Sequence, residues 1–171
     1  AALTLASRLP TDEETAKVKA GGYAALHEVI GTLLTEEAFY DRLRESYNDR
    51  FFTDFYMNGA DALDLIEPDM DNPATAYYAP EWFDAIAHDD GNGEISATQA
   101  DMIKYGATSP QGLRNRLEFQ TRKAVAQEPL ELIAYVVRNN LPFTEVLNAD
   151  YTVVNPYSAK AYSVTGVTFA N

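Results

Sequence analysis

The chain has 171 residues, with 13 Lys and Arg against 26 Asp and Glu, two His and no Cys, for a formal net charge of −13. Its 46% hydrophobic and 12% aromatic content is enough to build a core and excludes wholesale disorder. The missing cysteine excludes disulfides, Cys-zinc sites, iron–sulfur clusters and covalent c-type haem within this chain, and the acidity opposes nucleic acid and anionic membrane surfaces as partners.

The charge is local. Residues 51–101 hold twelve of the acids and no Lys or Arg, while the flanks on either side are near neutral. The first residues lack the basic and apolar regions of a signal peptide, and no apolar run reaches the length of a membrane span. The chain reads as a processed or partial piece of a longer protein.

Thr11-Asp-Glu-Glu14 is a capping box, with the Thr11 hydroxyl accepting a helix N–H and Glu14 reaching back. It predicts a short helix to about Lys19, ended by Gly21-Gly22. Leu26, Val29, Ile30, Leu33 and Leu34 then recur at helical spacing and predict a second helix over 23–34. Thr35-Glu-Glu opens a long helix over 36–57, whose stripe of Phe39, Leu43, Tyr47, Phe51 and Phe55 reads as a core-facing seam.

The acidic centre is more broken. Asp61 to Ile66 reads as a helical turn or two, and residues 67–73 as loop. Pro80 to His88 reads as a helix with proline at its first position, Asp89 to Gly93 as a turn, and Ser96 as the cap of a helix from about Ala97 to Tyr105. Ser109-Pro110 then starts a helix over 110–127 with Leu113, Leu117, Thr121 and Ala124 inward. Glu128-Pro129 marks a bend or a fresh start, followed by an inner face of Leu130, Ile133, Ala134 and Val137. Pro142 opens a short helix to about Ala149, residues 151–154 are extended, and Asn155-Pro156 caps a last turn or two through Tyr162. The expected fold is all-α for the most part. It would be an irregular bundle of about six to eight helices in a single domain over 1–171, with an acidic loop-rich insertion at 58–109.

The sharpest local motif is His88 to Gln99, aligned on Gly93 and Ile95 with a calcium loop flanked by helices. Asp90, Asn92, Glu94 and Ser96 would be the metal ligands, with Glu94 acting through its carbonyl. His88 and Gln99 stand where such loops carry acids, so the motif reads either as a degenerate calcium loop or as a structural turn. Asp89 or Asp101 would substitute only by distorting the loop, and Asp69 and Asp71 offer another acidic position. His27 and His88 are too few for a His-based metal site, and haem ligation by either with Met57, Met70 or Met102 has no support from spacing. No nucleophile elbow, thiol or phosphate-cradling glycine loop is present, so no catalytic residue is assigned. Tyr77, Tyr78 and Trp82 beside acids read as an anchor for the loop or as a sugar-binding platform.

Three segments, 7–14, 29–43 and 128–156, together resemble the uncharacterised helical domains of planctomycete-type, cytochrome-associated secreted proteins, also found in myxobacteria and proteobacteria. The likeness rests on the Leu9-Pro10-Thr11 start with Glu14, the Leu33-Leu34 to Phe39 and Arg42 helix, and the Arg138-Asn139 to Pro142-Phe143 junction. It covers roughly 1–57 and 110–162. The resemblance implies an exported chain, periplasmic, outer-membrane-associated or extracellular, with a haem-bearing domain or partner subunit nearby and no catalytic residue to carry over. Arg138, Asn139, Pro142 and Phe143, with Asp150, Tyr151, Asn155 and Pro156, match its helix junction and later turn and read as structural, with Asp150 bonding turn N–H groups.

The leading functional expectation is therefore a non-catalytic helical module of an electron-transfer-type assembly, packing through its aromatic and aliphatic faces. The alternatives are an enzyme module acting on extracellular polysaccharide through the acidic centre, and a calcium-stabilised structural or adhesion element.

Overall fold

The computed structural model describes residues 1–58, 62, 63, 66, 79 and 81–169. Asp61, Asp69, Met70, Asp71, Tyr77, Tyr78 and Pro80, and the side chain of Met57, lie outside them, as do the sequence readings placed there. The fold is mostly helical, as expected, with eight α-helices and one small hairpin among the described residues. No described helix is long and apolar enough to cross a membrane. The chain divides into two compact units, residues 1–52 with 129–151, and residues 53–128 with 152–171.

The first unit contains α1 (Ala2–Ala6), α2 (Asp12–Leu33) and α3 (Glu37–Phe51). The capping box is formed in full: Glu14 N–H donates to Thr11 Oγ1 at 3.1 Å and Thr11 N–H to Glu14 Oε2 at 2.8 Å. The two helices read on either side of Gly21-Gly22 form a single element with a kink, because Gly22 alone leaves helical geometry (φ 59°, ψ −137°). Gly21 is needed beside it, since a Cβ there would stand 2.7 Å from that of Ala25. α1 packs on α2 and α3, and Ala2, Ala6, Val29 and Leu33 form the buried cluster.

The long helix expected over 36–57 breaks. α3 ends at Phe52, which sits in the left-handed region (φ 53°, ψ 36°), and α4 (Thr53–Asn58) begins the second unit. The aromatic stripe is not a core seam either. Tyr40 is the buried residue of α3, whereas Phe51, Phe52 and Phe55 are exposed. Spacing identified one face of the helix but not which face meets the core.

α6 (Pro110–Arg138) runs through Pro129, so of the bend or fresh start read there the fresh start does not occur. Pro129 removes one helix N–H and crowds the carbonyl four residues back, a cost offset by burial of Val125, Ala126, Leu130, Ile133 and Ala134 along the helix. Its residues 129–138 belong to the first unit, where Arg44 pairs with Glu131 at 2.9 Å and Arg138 with Glu37. Val136 is the buried residue, in place of the expected Val137. α7 (Glu145–Asn148) follows in the same unit.

The second unit surrounds α6 residues 110–128. Leu113, Leu117 and Thr121 are fully buried there and Ala124 nearly so, as their spacing predicts. Around them gather Phe83, Ala87, Val125, Ala126 and Ala161 of the core. The helix expected over 80–88 is a 3-10 turn (Trp82–Ala85) followed by strand β1 (Ala87–Asp89). β1 pairs antiparallel with β2 (Ile95–Ala97) in the register Ala87 to Ala97, His88 to Ser96 and Asp89 to Ile95. Ser96 therefore lies in a strand, and the cap of α5 (Gln99–Tyr105) is Thr98, whose Oγ1 accepts from Asp101 N–H at 3.1 Å. The chain closes with α8 (Ser158–Ala161), capped by Asn155 as expected: its Oδ1 accepts from the N–H groups of Tyr157 and Ser158.

Candidate functional site

The hairpin of the second unit gathers its most connected polar side chains. Asp84, in the 3-10 turn, accepts through Oδ1 from Arg114 Nη1 at 2.7 Å and from Asp89 N–H at 3.1 Å; its Oδ2 lies 2.9 Å from His88 Nδ1. His88, then the Asp89 N–H, then Arg114 hold the Asp84 carboxyl down to about 2, so it stays ionised. Arg114 is the rigid member. It also donates to the Ala87 carbonyl at 2.9 Å, and its guanidinium lies 5.3 Å from the centre of the Phe83 ring.

The Asp84 carboxylate is an acceptor only, so His88 Nδ1 is the donor of this bond and Nε2 faces away from it. Nε2 makes no hydrogen bond among the described residues, and the side chain is 62% exposed. Ser96 is its direct cross-strand neighbour on the same face. The arrangement holds one oriented imidazole at the surface.

The loop residues read as calcium ligands lie in the hairpin, Asp90, Asn92 and Glu94 in its turn and Ser96 in β2. The helices expected on both sides of the loop are the two strands of a hairpin, with Gly91 and Gly93 at positive φ (74° and 94°) making its turn. Asp90 Oδ1 accepts from Asn92 N–H at 2.8 Å and Glu94 N–H at 3.2 Å, bonds that lower its pKa. The Glu94 carbonyl accepts from Asp90 N–H at 3.3 Å, and Asp89 Oδ1 accepts from Gly91 N–H at 2.9 Å. Among the described residues no three His, Asp or Glu side chains converge on a common point where a metal would sit.

Trp82 is wedged into the second unit. Its Nε1–H donates to Thr121 Oγ1 at 3.1 Å, and Lys160 Nζ lies 4.0 Å from the ring centre. One ring face is covered by the ammonium. Met102 packs against the same core. His27, in the first unit, is exposed and meets the Tyr23 ring edge-on at 4.6 Å.

The first unit carries a second candidate surface. Tyr47 on α3 lies 5.9 Å from the Phe51 ring and 6.1 Å from the Phe143 ring, and Arg50 stands 5.5 Å over it. Phe51, Phe52 and Phe143 are 45%, 70% and 51% exposed, and Leu147 beyond them in α7 is 91% exposed. Arg50 has no acidic partner among the described residues, unlike Arg44 and Arg138 of the same unit. Of the junction residues, Arg138 covers the Tyr40 ring at 4.2 Å, Asn139 donates to the Tyr135 carbonyl, and the Tyr151 hydroxyl donates to Glu145. Asp150 makes no hydrogen bond among the described residues; Asn155 binds the turn N–H groups in its place.

Fold and sites define a mostly α-helical protein with a small hairpin. Residues 96–164 match the family described as PSD4: Protein of unknown function (DUF1592). The match spans the second flank of the sequence resemblance and begins inside the stretch read as an insertion, at Ser96 of β2. No curated protein and no solved structure matches the chain.

The Asp84–His88–Arg114 cluster was missed from sequence. Asp84 and His88 are four apart, which is a signal, but it reads as helix spacing. Arg114 is thirty residues away and only folding brings it there.

Proposed function

We propose that this chain is a non-catalytic helical module of an exported, cytochrome-associated protein or complex. Its first unit would dock on a haem-bearing domain or subunit through the Tyr47, Phe51, Phe52 and Phe143 face. The observation that carries the reading is this exposed aromatic set with Arg50 at its edge, which has no acidic partner among the described residues. Exposed aromatic rings around an arginine are the composition of interface anchors. Phe52 adds weight, because a bulky residue held in the left-handed region with its ring in water is strained for no gain to the core. Arg50 is the complement of a carboxylate, such as a haem propionate or an acidic rim. The sequence resemblance points to the same class of protein, and the matched family is itself of unknown function.

The test is to isolate the tagged chain under mild conditions from the envelope fraction of its own host and record the visible spectrum. A stoichiometric Soret band that is lost in Phe52→Ser and Phe143→Ser, with the fold intact by circular dichroism, is the expected result. A haem-free preparation, or a Soret band indifferent to both substitutions, overturns the reading.

A further inference from the structure

We propose that Asn92, at the tip of the hairpin in the second unit, is a modification site. Its side chain loses ammonia and becomes an aspartyl or isoaspartyl residue, the latter a substrate for enzymes that methylate isoaspartyl carboxylates. The proposal is independent of the docking face described above.

The tip holds two residues followed by glycine, Asp90-Gly91 and Asn92-Gly93, and the fold treats them differently. In either pair the reaction starts when the glycine backbone nitrogen attacks the side-chain carbonyl carbon of the residue before it. The first pair is blocked. Gly91 N–H is held by Asp89 Oδ1 at 2.9 Å, and the Asp90 carboxylate accepts from the N–H groups of Asn92 and Glu94. Those two bonds favour its ionised form, which is a poor electrophile. The second pair is open. Gly93 N–H makes no hydrogen bond among the described residues, and nothing stands within 4 Å of the place a Gly93 Cβ would take. Asn92 and Gly93 are exposed, and Asn92 Nδ2 has only a 3.4 Å contact with the Asp90 carbonyl.

Described Asn48, Asn115, Asn139, Asn140, Asn148 and Asn155 are each followed by a residue with a Cβ, which crowds the attacking nitrogen. The chain has one further Asn-Gly pair, Asn58-Gly59, whose glycine lies outside the described residues.

The Gly93 nitrogen gives its proton to solvent base and bonds to Asn92 Cγ. The Cγ–Nδ2 bond breaks, and Nδ2 takes up a proton and leaves as ammonia. Water then opens the imide ring. Breaking the bond from Gly93 N to Cγ gives aspartate, and breaking the bond from Gly93 N to the Asn92 α-carbonyl carbon gives isoaspartate. Either product adds a negative charge beside Asp89, Asp90 and Glu94. Isoaspartate also puts an extra main-chain atom between the two N–H groups that Asp90 Oδ1 clamps.

The experiment incubates the chain at neutral pH, folded and in denaturing urea, and follows each peptide by mass spectrometry. A protein isoaspartate methyltransferase with labelled S-adenosylmethionine locates the iso product, and peptide mapping separates position 92 from position 58. Asn92 is expected to convert in the folded chain at a rate within about threefold of that in urea, because a solvated turn opens at almost no cost. Isomerisation of Asp90 is expected to be slowed about tenfold or more by folding, since its bonds must open first. Asn92→Gln, at an exposed position, is expected to abolish the methylation signal from this peptide while leaving the fold intact by circular dichroism. Folding that slows Asn92 about tenfold or more overturns the proposal, because the turn would then protect it. So does an Asn92 that converts no faster than the asparagines followed by larger residues. An Asp90 rate unaffected by folding overturns it too, since residue type alone would then separate the two pairs.

Discussion

The Tyr162 hydroxyl donates to Glu128 Oε2 at 2.9 Å, tying the end of α8 to α6 through a carboxyl group with no Lys or Arg paired to it among the described residues. Burial, against the weaker pull of the Tyr162 and Ser158 hydroxyls, pushes the Glu128 carboxyl up to about 7 from the usual 4.5. Between those values the folded chain binds more protons than the unfolded one, so this group's stabilisation is complete below about 4.5 and is lost as pH rises through 7. Calorimetric melting from pH 5 to 8 should show a stability decline that Glu128→Gln removes. An equal decline in the variant would assign it elsewhere.

Asp84 and Glu14 work in the opposite direction. Both are depressed to about 2, so their contributions are present above their unfolded values near 4 and are lost as pH falls toward 2. Arg8 bridges Glu14 and Glu36 at 2.6 Å each, joining the start of α2 to that of α3. Arg8→Ala should lower the melting temperature of the first unit, and the difference should shrink at high salt as exposed charges are screened. A difference that persists at 1 M salt would show that Arg8 acts through packing.

Thr121 is fully buried and accepts from the only tryptophan, making that tryptophan a clean reporter. Thr121→Val keeps the shape but leaves the indole N–H without its acceptor, at a cost of about 1–3 kcal/mol. Denaturant titration followed by Trp82 emission should show this loss, and Thr121→Ser should restore most of it.

Phe52 separates stability from docking. Glycine relieves the left-handed backbone but loosens the unfolded chain, so Phe52→Gly should be neutral or stabilising by at most ~1 kcal/mol. The same change should weaken association with the haem-bearing partner proposed above. A clear loss of stability in urea would mean that the ring packs, and would weaken the case for an interface.

Calcium bound by the 88–99 loop at 100 times its dissociation constant would add about 2.7 kcal/mol. Asp90 Oδ1 and the Glu94 carbonyl are committed to the turn, so equal melting temperatures in calcium and in chelator are expected. A calcium-dependent rise abolished by Asp90→Asn would make the loop a metal site.

By itself, the sequence determined what depends on neighbours a few residues apart. The Thr11 capping box, the break at Gly22, the Asn155 cap and the inward set of Leu113, Leu117 and Thr121 were all legible, because caps, glycine geometry and helical period are local. What tertiary structure decided is everything set by burial at a distance. Residues 82–89 became a 3-10 turn and a strand because Phe83 and Ala87 enter the core and Ala87 pairs with Ala97, ten residues on. In α3 the buried position went to Tyr40, beneath Arg138, while the stripe residues Phe39, Leu43 and Tyr47 are half-buried and Phe51 is exposed. The Asp84 cluster waited on Arg114, and the Glu128 carboxyl on the α8 residues that bury it, since a pKa is a property of surroundings that no spacing along the chain encodes.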